Sequence, residues 1–181
     1  DYPQIASILV PLASLGRVQG RLVEAEAMLH EAARIAELSR RTYVLSVAKH
    51  ELGKVYADRK RHGEAERLYR ASLGLTGDSV GTRNTEYAVC LADLAYSLAA
   101  QRKYVEAEVL LREAIRTKEE IGGSSSFSLP VLLERHAQLL GKLKRKEESK
   151  HVLARLKALL AAGGGDPNGQ TVDVLELKPR R

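Results

Sequence analysis

Residues 50–73 read HELGKVYADRKRHGEAERLYRASL, two apolar, helix-favouring runs joined by a short basic turn. The Glu-Ala-Glu triplet at residues 64–66 recurs at residues 24–26 and 106–108, and it returns as Glu-Ser-Lys at residues 148–150. The middle residues of these triplets, 25, 65, 107 and 149, lie 40, 42 and 42 positions apart. Self-similarity at such a period is typical of solenoids, in which supersecondary units stack and share one core. The sequence therefore predicts a repeat protein and favours a binding scaffold over an enzyme.

The composition of the chain agrees with an all-helical protein. Of its 181 residues, 44% are hydrophobic but 4% are aromatic, so the core is expected to be aliphatic and rich in alanine. The strong helix formers Leu, Ala, Glu, Lys and Arg dominate, and the few Pro and Gly residues cluster between the apolar runs. We predict an all-α fold, a right-handed α-solenoid of four helix-turn-helix repeats.

Breaker-rich links at residues 39–42, 77–85 and 122–128 divide the chain into four helical hairpins. We expect these repeats at residues 3–38, 43–77, 84–121 and 127–161. They would form a single domain, residues 1–162, followed by a flexible C-terminal tail, residues 163–181. The fourth repeat has His136 and Ser149 where an apolar residue and an alanine are expected, which is typical of a capping repeat whose outer face meets water. His136 is expected to be a half-exposed packing residue.

The second repeat resembles the tetratricopeptide repeat. That pattern is Trp-x-x-Leu-Gly-x-x-Tyr followed by Ala-x-x-x-Phe, and this chain supplies Leu52, Gly53, Tyr56, Ala65 and, in place of the Phe, Tyr69. Small residues at Gly53 and Ala65 allow the two helices of a hairpin to approach closely, and Tyr56 or Tyr69 would fill the gap beside them. The spacing of 40 to 42 residues exceeds the 34 residues of the usual tetratricopeptide repeat and is similar to that of the repeats in kinesin light chains.

The resemblance implies that the inner face of the first helix of each hairpin forms a groove for a peptide or a helix of a partner protein. This chain lacks the inward Asn residues that many kinesin-light-chain-like repeats use to hold a peptide backbone. We therefore expect side-chain pairing through Arg17, Lys54, Arg135 and Lys142, with an ordinary solvated surface as the alternative for each. The predicted groove residues are Arg17, His50, Lys54, Asp58, Asp93, Tyr96, Arg135, Gln138 and Lys142.

A row of cations is expected along one edge of the array. Arg21, Arg61, Lys103 and Arg145 occupy equivalent positions in the four intra-hairpin turns, and stacking would align them into what we call the basic ridge. Its ordinary role is a solubilising edge, since turn positions are usually polar. The alternative is an acidic partner, either an acidic protein segment or, less favoured because stacking aromatics are sparse, nucleic acid.

The sequence indicates no catalytic, cofactor or metal site. It has no Gly-rich phosphate loop, nucleophile elbow or HExxH motif. Cys90, the single cysteine, is expected to be a small buried hydrophobe, and the absence of any intramolecular disulfide favours a reducing, cytoplasmic compartment. No run of about 18 apolar residues is present to span a membrane, and the first residues lack the basic leader of a signal peptide.

The function predicted from the sequence is a non-catalytic scaffold for protein–protein interaction, without a cofactor. One alternative is a regulatory or oligomerising domain of a larger protein, which the absence of an initiating Met would suit. Another is nucleic-acid binding, which rests on the net charge of +6. Residues 171–177 are β-prone and are expected either to be disordered with the tail or to dock as an extended segment in a groove of the same or a neighbouring molecule.

Overall fold

The computed structural model describes residues 2–121 and 129–163, with side chains from 4 to 121 and from 129 to 161. Every element in these ranges is an α-helix, and the helices pack in chain order. This confirms the predicted all-α solenoid. The helices are α1 (Tyr2–Val18), α2 (Leu22–Leu38), α3 (Thr42–Asp58), α4 (His62–Val80), α5 (Thr85–Ala100), α6 (Tyr104–Ile121), α7 (Leu129–Lys142) and α8 (Lys146–Gly163).

The helices form two layers. Each odd-numbered helix packs on the even-numbered helix that follows it, and each even-numbered helix packs on the first helix of the next hairpin. The first helices also contact one another, α1 with α3 and α3 with α5, as expected of the inner layer of a curved array. The predicted tail and the link at residues 122–128 lie outside the described residues.

Small residues set the distance between the helices of a hairpin. Ala25, Ala65 and Ala107, the middle residues of the three Glu-Ala-Glu triplets, are fully buried. A Cβ atom added at Gly53 would lie 2.6 Å from Cε1 of Tyr69, so the aromatic ring of α4 rests directly on the backbone of α3. The interpretation of these positions as close helix contacts is correct.

The four intra-hairpin turns share one backbone geometry. Gly20, Lys60, Arg102 and Lys144 all have positive φ, from 59° to 79°. In the second hairpin the amide of Lys60 donates to the carbonyl of Ala57 at 2.9 Å, and the next amide, of Arg61, donates to Tyr56 at 2.9 Å. This is the Schellman ending of a helix, which satisfies its last carbonyls. The repeated turn keeps the hairpins in register.

The end of α4 differs from the prediction. The sequence predicts that the link begins at residue 77, but the helix continues through Gly77 to Val80 and the chain turns at Gly81, whose φ is 80°. The amide of Gly81 donates to the carbonyl of Gly77 at 3.2 Å, and Asn84 then caps α5 by accepting from the amide of Tyr87 at 2.8 Å. A glycine can continue a helix where its neighbours hold it, and nothing in the local sequence distinguishes Gly77 from Gly81.

The fourth repeat is also less exposed than predicted at one position. His136 is buried, and its Nε2 lies 3.1 Å from Oε1 of Glu108 on α6. Burial of the imidazole is possible because Glu108 gives it a polar partner within the joint between the third and fourth hairpins. The expectation of a half-exposed packing residue is therefore wrong.

Candidate protein-binding groove

The first half of the groove, formed by α1 and α3, carries a network of opposite charges beside an open cavity of about 390 Å³. Nη1 of Arg17 lies 2.8 Å from Oδ2 of Asp58, and Nζ of Lys54 lies 2.5 Å from Oε1 of Glu51. Nε of Arg17 and Oε2 of Glu51 face each other at 4.0 Å, and neither atom has a hydrogen-bond partner among the described residues. Two cations meet two carboxylates here, so little net charge is left for a partner.

The middle of the groove is held by a polar contact between α3 and α5. Nε2 of His50 lies 2.9 Å from Oδ2 of Asp93, and the imidazole also packs on the ring of Tyr69 with 5.6 Å between centroids. Both polar side chains are largely covered. This pair links adjacent first helices, so its role is to join hairpins.

The second half of the groove is an open pocket between α5 and α7, with a volume of about 230 Å³. Its floor is apolar and its rim carries Tyr96, Arg135 and Lys142. Tyr96 is 51% exposed, and the Arg135 guanidinium lies 5.6 Å from the centroid of its ring. The lining residues are Ala92, Ala95, Tyr96, Ala99, Tyr104, Leu111, Arg135, Gln138, Leu139 and Lys142.

One change between repeats contributes to the open shape and apolar floor of this pocket. When the hairpins are aligned in sequence at their turns, Ala92 of α5 corresponds to His50 of α3, and Arg135 of α7 corresponds to Asp93 of α5. The His50 ring reaches Asp93 and occupies part of the space between α3 and α5. A cavity of about 210 Å³ remains there, and its lining includes the polar side chains of His50, Glu51 and Lys54. Ala92 has no side chain long enough to reach Arg135, so the equivalent space between α5 and α7 stays open over a floor of alanine and leucine.

The charge on the rim of this pocket is positive. Among the described residues Lys142 has no ion-pair partner, and Arg135 contacts an aromatic face instead of a carboxylate. The amide of Gln138 donates weakly to Glu134 at 3.4 Å. Two cations over an apolar floor are therefore available to a partner that carries negative charge.

The structure thus divides the predicted groove residues into separate groups. Tyr96, Arg135, Gln138 and Lys142 surround one pocket. Arg17, Lys54 and Asp58 belong to the charge network, and His50 and Asp93 contact each other. The apolar floor was not predicted. The signal for it was the run of alanines at 92, 95 and 99, which follows helical spacing on the inner face of α5.

The basic ridge lies in the intra-hairpin turns, but its cations are paired with carboxylates. Three of them form ion pairs with the residue three positions on: Arg21 with Glu24, Arg61 with Glu64 and Arg145 with Glu148. The hydrogen bond from Arg61 lowers the pKa of Glu64, and that from Arg145 lowers the pKa of Glu148. The Arg-x-x-Glu spacing could have shown this in the sequence.

The second glutamate of each triplet connects neighbouring hairpins. Glu26 pairs with Arg59 in the next turn, and Glu66 accepts from Lys103 at 2.8 Å. Glu108, which is buried, lies 3.4 Å from Nη1 of Arg145 as well as against His136. Lys103 and Arg145 therefore stabilise the joints of the array, and the ridge presents less unpaired charge than the sequence suggested.

The described residues show no alternative chemical site. Cys90 is buried, its Sγ donates to the carbonyl of Tyr69 at 3.5 Å, and burial raises the pKa of the thiol to about 12, so it stays protonated. Within residues 2–121 and 129–163 no group of His, Cys, Asp or Glu side chains is arranged to hold a metal ion. In the same ranges none of the helices has the length and apolar character needed to cross a membrane.

Stacked helical hairpins with a groove along their first helices define this chain as an α-solenoid. Residues 44–120 match the model of the tetratricopeptide repeat family, which confirms the resemblance seen in the sequence. None of the curated protein sequences matches the chain. Tetratricopeptide repeats are generally non-catalytic modules of protein–protein interaction.

Solved structures with similar folds include a putative kinesin light chain with TPR-like repeats. BtubC (BKLC) from P. vanneervenii superposes with a TM-score of 0.84 at 17% identity, covering 100% of this chain and 69% of that one. A variant of a putative kinesin light chain with nearly identical TPR-like repeats, from Podosopora anserina, has a TM-score of 0.78 at 18% identity, covering 90% and 77%. At these identities the likeness concerns the fold.

Proposed function

We propose that this chain is a non-catalytic, cytoplasmic scaffold that binds a peptide or helix of a partner protein in the pocket between α5 and α7. One observation carries the proposal: an open apolar cavity on the inner layer whose rim holds an exposed tyrosine and two cations. Apolar pockets with a few polar groups at the rim are the usual form of a binding site.

The lining of the pocket indicates the chemistry of the partner. A volume of about 230 Å³ accommodates one large apolar side chain against the alanine and leucine floor. A carboxylate beside that side chain would meet Arg135 and Lys142, and an arginine can bind a carboxylate through two parallel hydrogen bonds. We therefore expect a segment with an apolar residue next to Asp or Glu.

In this proposal the partner is bound mainly by four residues around the pocket, Tyr96, Arg135, Gln138 and Lys142. Arg17 and Lys54 would first have to exchange Asp58 or Glu51 for a partner carboxylate, and such an exchange gains little free energy. Nucleic acid is not favoured, because the basic ridge is paired with carboxylates and stacking aromatics are few. A catalytic role has no convergent set of groups among the described residues to support it.

Selection from a displayed library of random peptides tests this proposal. We expect the selected peptides to place Asp or Glu beside a large apolar residue, and Arg135→Glu to weaken their binding by about tenfold or more. Arg116→Glu is the matched control, since Arg116 is an exposed arginine of α6 that does not line the pocket. Equal binding by wild type and Arg135→Glu would rule out the pocket as the site.

A further inference from the structure

The cavity between α3 and α5, which the proposed function does not use, lies next to the binding pocket on the same inner layer. Its volume is about 210 Å³. Val47 and Val89 are part of its lining, together with several serine and threonine side chains. Since a hairpin precedes α3 and another follows α6, this cavity belongs to the interior of the array and not to one of its ends.

The charge of this cavity is negative. Besides His50, which contacts Asp93, its ionisable lining residues are Glu51, Lys54 and Glu86. Nζ of Lys54 lies 2.5 Å from Oε1 of Glu51, so these two charges compensate each other. Glu86 is exposed and has no ion pair among the described residues. One uncompensated carboxylate is therefore left at the cavity.

A buried acceptor atom also faces this region of the groove. Glu51 is 9% exposed, and its Oε2 has no hydrogen-bond partner among the described residues. Nε of Arg17 lies 4.0 Å from this oxygen, beyond hydrogen-bond distance. Lysine and arginine heads carry donors alone, and their aliphatic stems pack on apolar surface. A cavity with valines and carboxylates in its lining is suited to such a side chain.

The two neighbouring cavities of the groove thus have opposite charge. The pocket between α5 and α7 is lined by Arg135 and Lys142 and by no acidic residue. The cavity between α3 and α5 keeps the uncompensated charge of Glu86. The inner layer therefore changes sign across α5, from negative on the α3 side to positive on the α7 side.

The distance between the two cavities can be obtained from α5, which lines both of them. Glu86 lies at one cavity and Tyr96 at the other, ten positions apart. Ten residues of helix extend about 15 Å along the axis, and the gaps on the two sides of a helix are about 8–10 Å apart. The separation is therefore about 17 Å, which an extended chain covers in about five residues.

We propose that the partner segment is bipolar: its acidic–apolar pair enters the pocket between α5 and α7, and a lysine or arginine about five residues away enters the cavity between α3 and α5. This inference rests on the proposed function, because it gives the same partner a second contact. Glu86 selects the cation, and Arg135 selects the carboxylate. The opposite placement would bring like charges together, so the sign change across α5 fixes how the segment lies in the groove.

Peptides selected on the wild-type protein are the probes for this proposal. We expect Lys or Arg to recur about five residues from the acidic–apolar pair. Isothermal titration should show about fivefold or more weaker binding to Glu86→Lys, and a peptide in which Glu replaces that cation should recover affinity for this variant. Glu37→Lys is the matched control, since Glu37 is an exposed glutamate of α2 that lines neither cavity. It should bind as wild type does.

A shortened peptide separates this proposal from the proposed function. A peptide reduced to the acidic–apolar pair should bind wild type and a folded Glu86→Lys equally, with folding checked by circular dichroism. Weaker binding of this short peptide to Glu86→Lys would contradict the second contact. If Arg135→Glu weakens binding of the selected peptides and Glu86→Lys does not, the pocket is correct and the bipolar partner is wrong. If neither change weakens binding, both proposals are wrong.

Discussion

Gly53 and Tyr69 show how one residue fixes a helix–helix distance. The ring of Tyr69 occupies the place of a side chain at position 53, and this hydroxyl-bearing ring is fully buried. The sequence predicted the small residue at position 53 and a large one at either Tyr56 or Tyr69, because a small residue opposite a large one is typical of a close helix contact. The burial of Glu108 with His136 was not predicted, because it depends on two residues 28 positions apart meeting at the same height in the stack.

Gly53→Ala should destabilise the fold even though alanine favours the helix. The added Cβ would lie 2.6 Å from the Tyr69 ring, and overpacking of this kind costs about 1–3 kcal/mol. Gly74→Ala is the matched control, since a Cβ there meets nothing within 4 Å and should stabilise the helix by about 0.5–1 kcal/mol. Urea unfolding measures both. A stabilised Gly53→Ala variant would mean that the two helices can separate freely.

At the scale of elements, the intra-hairpin turns and the joint glutamates set the architecture. The turns could be located from the sequence to within a residue or two, because breakers and cations repeat with the period. The ion pairs between hairpins could not, because they depend on the stacking distance. The contacts of Lys103 and Arg145 with glutamates of the preceding hairpin are therefore visible only in the structure.

In each intra-hairpin turn, the residue with positive φ occupies a left-handed backbone conformation, and this position should prefer glycine. Lys60 has a φ of 62°, which costs a side-chain-bearing residue about 1 kcal/mol. Lys60→Gly is expected to raise the free energy of unfolding by roughly 0.5–1 kcal/mol, and Gly20→Ala to lower it by a similar amount. Thermal unfolding checks both changes. Effects of the opposite sign would show that these turns are not left-handed in solution.

The joint formed by Glu66 should depend on pH. Burial tends to raise the pKa of Glu66, but hydrogen bonds from Lys103, Gln101 and Arg70 outweigh it and hold the pKa below its ordinary value. The carboxylate therefore stabilises the fold above its unfolded pKa of about 4.3, and this contribution is lost as the pH falls through the lower folded value.

Glu66→Gln provides the measurement. The free energy of unfolding, measured with urea at about pH 7, should be about 1–2 kcal/mol higher for wild type than for the variant. This difference should become smaller toward about pH 3. Glu147→Gln, which alters an exposed carboxylate of the last hairpin, is expected to show a much smaller gap. A Glu66→Gln gap that does not change with pH would contradict the assigned contacts.

At the scale of the whole molecule, stacking converts differences between repeats into distinct surfaces. The period of the sequence predicted the solenoid. It did not predict that His50 and Asp93 contact each other across one gap between first helices while Ala92 and Arg135 leave an apolar floor in the next one.

Filling the pocket tests the central claim, that the space between α5 and α7 is where a partner binds. Ala99 lines the pocket and is half-buried, so Ala99→Leu occupies the cavity without changing charge. Ala100, the next residue, is exposed and does not line the pocket, so Ala100→Leu is the matched control. Isothermal titration of one selected acidic–apolar peptide should show binding to wild type and Ala100→Leu, and at least about tenfold weaker binding to a folded Ala99→Leu. Equal affinity for all three proteins would contradict the claim.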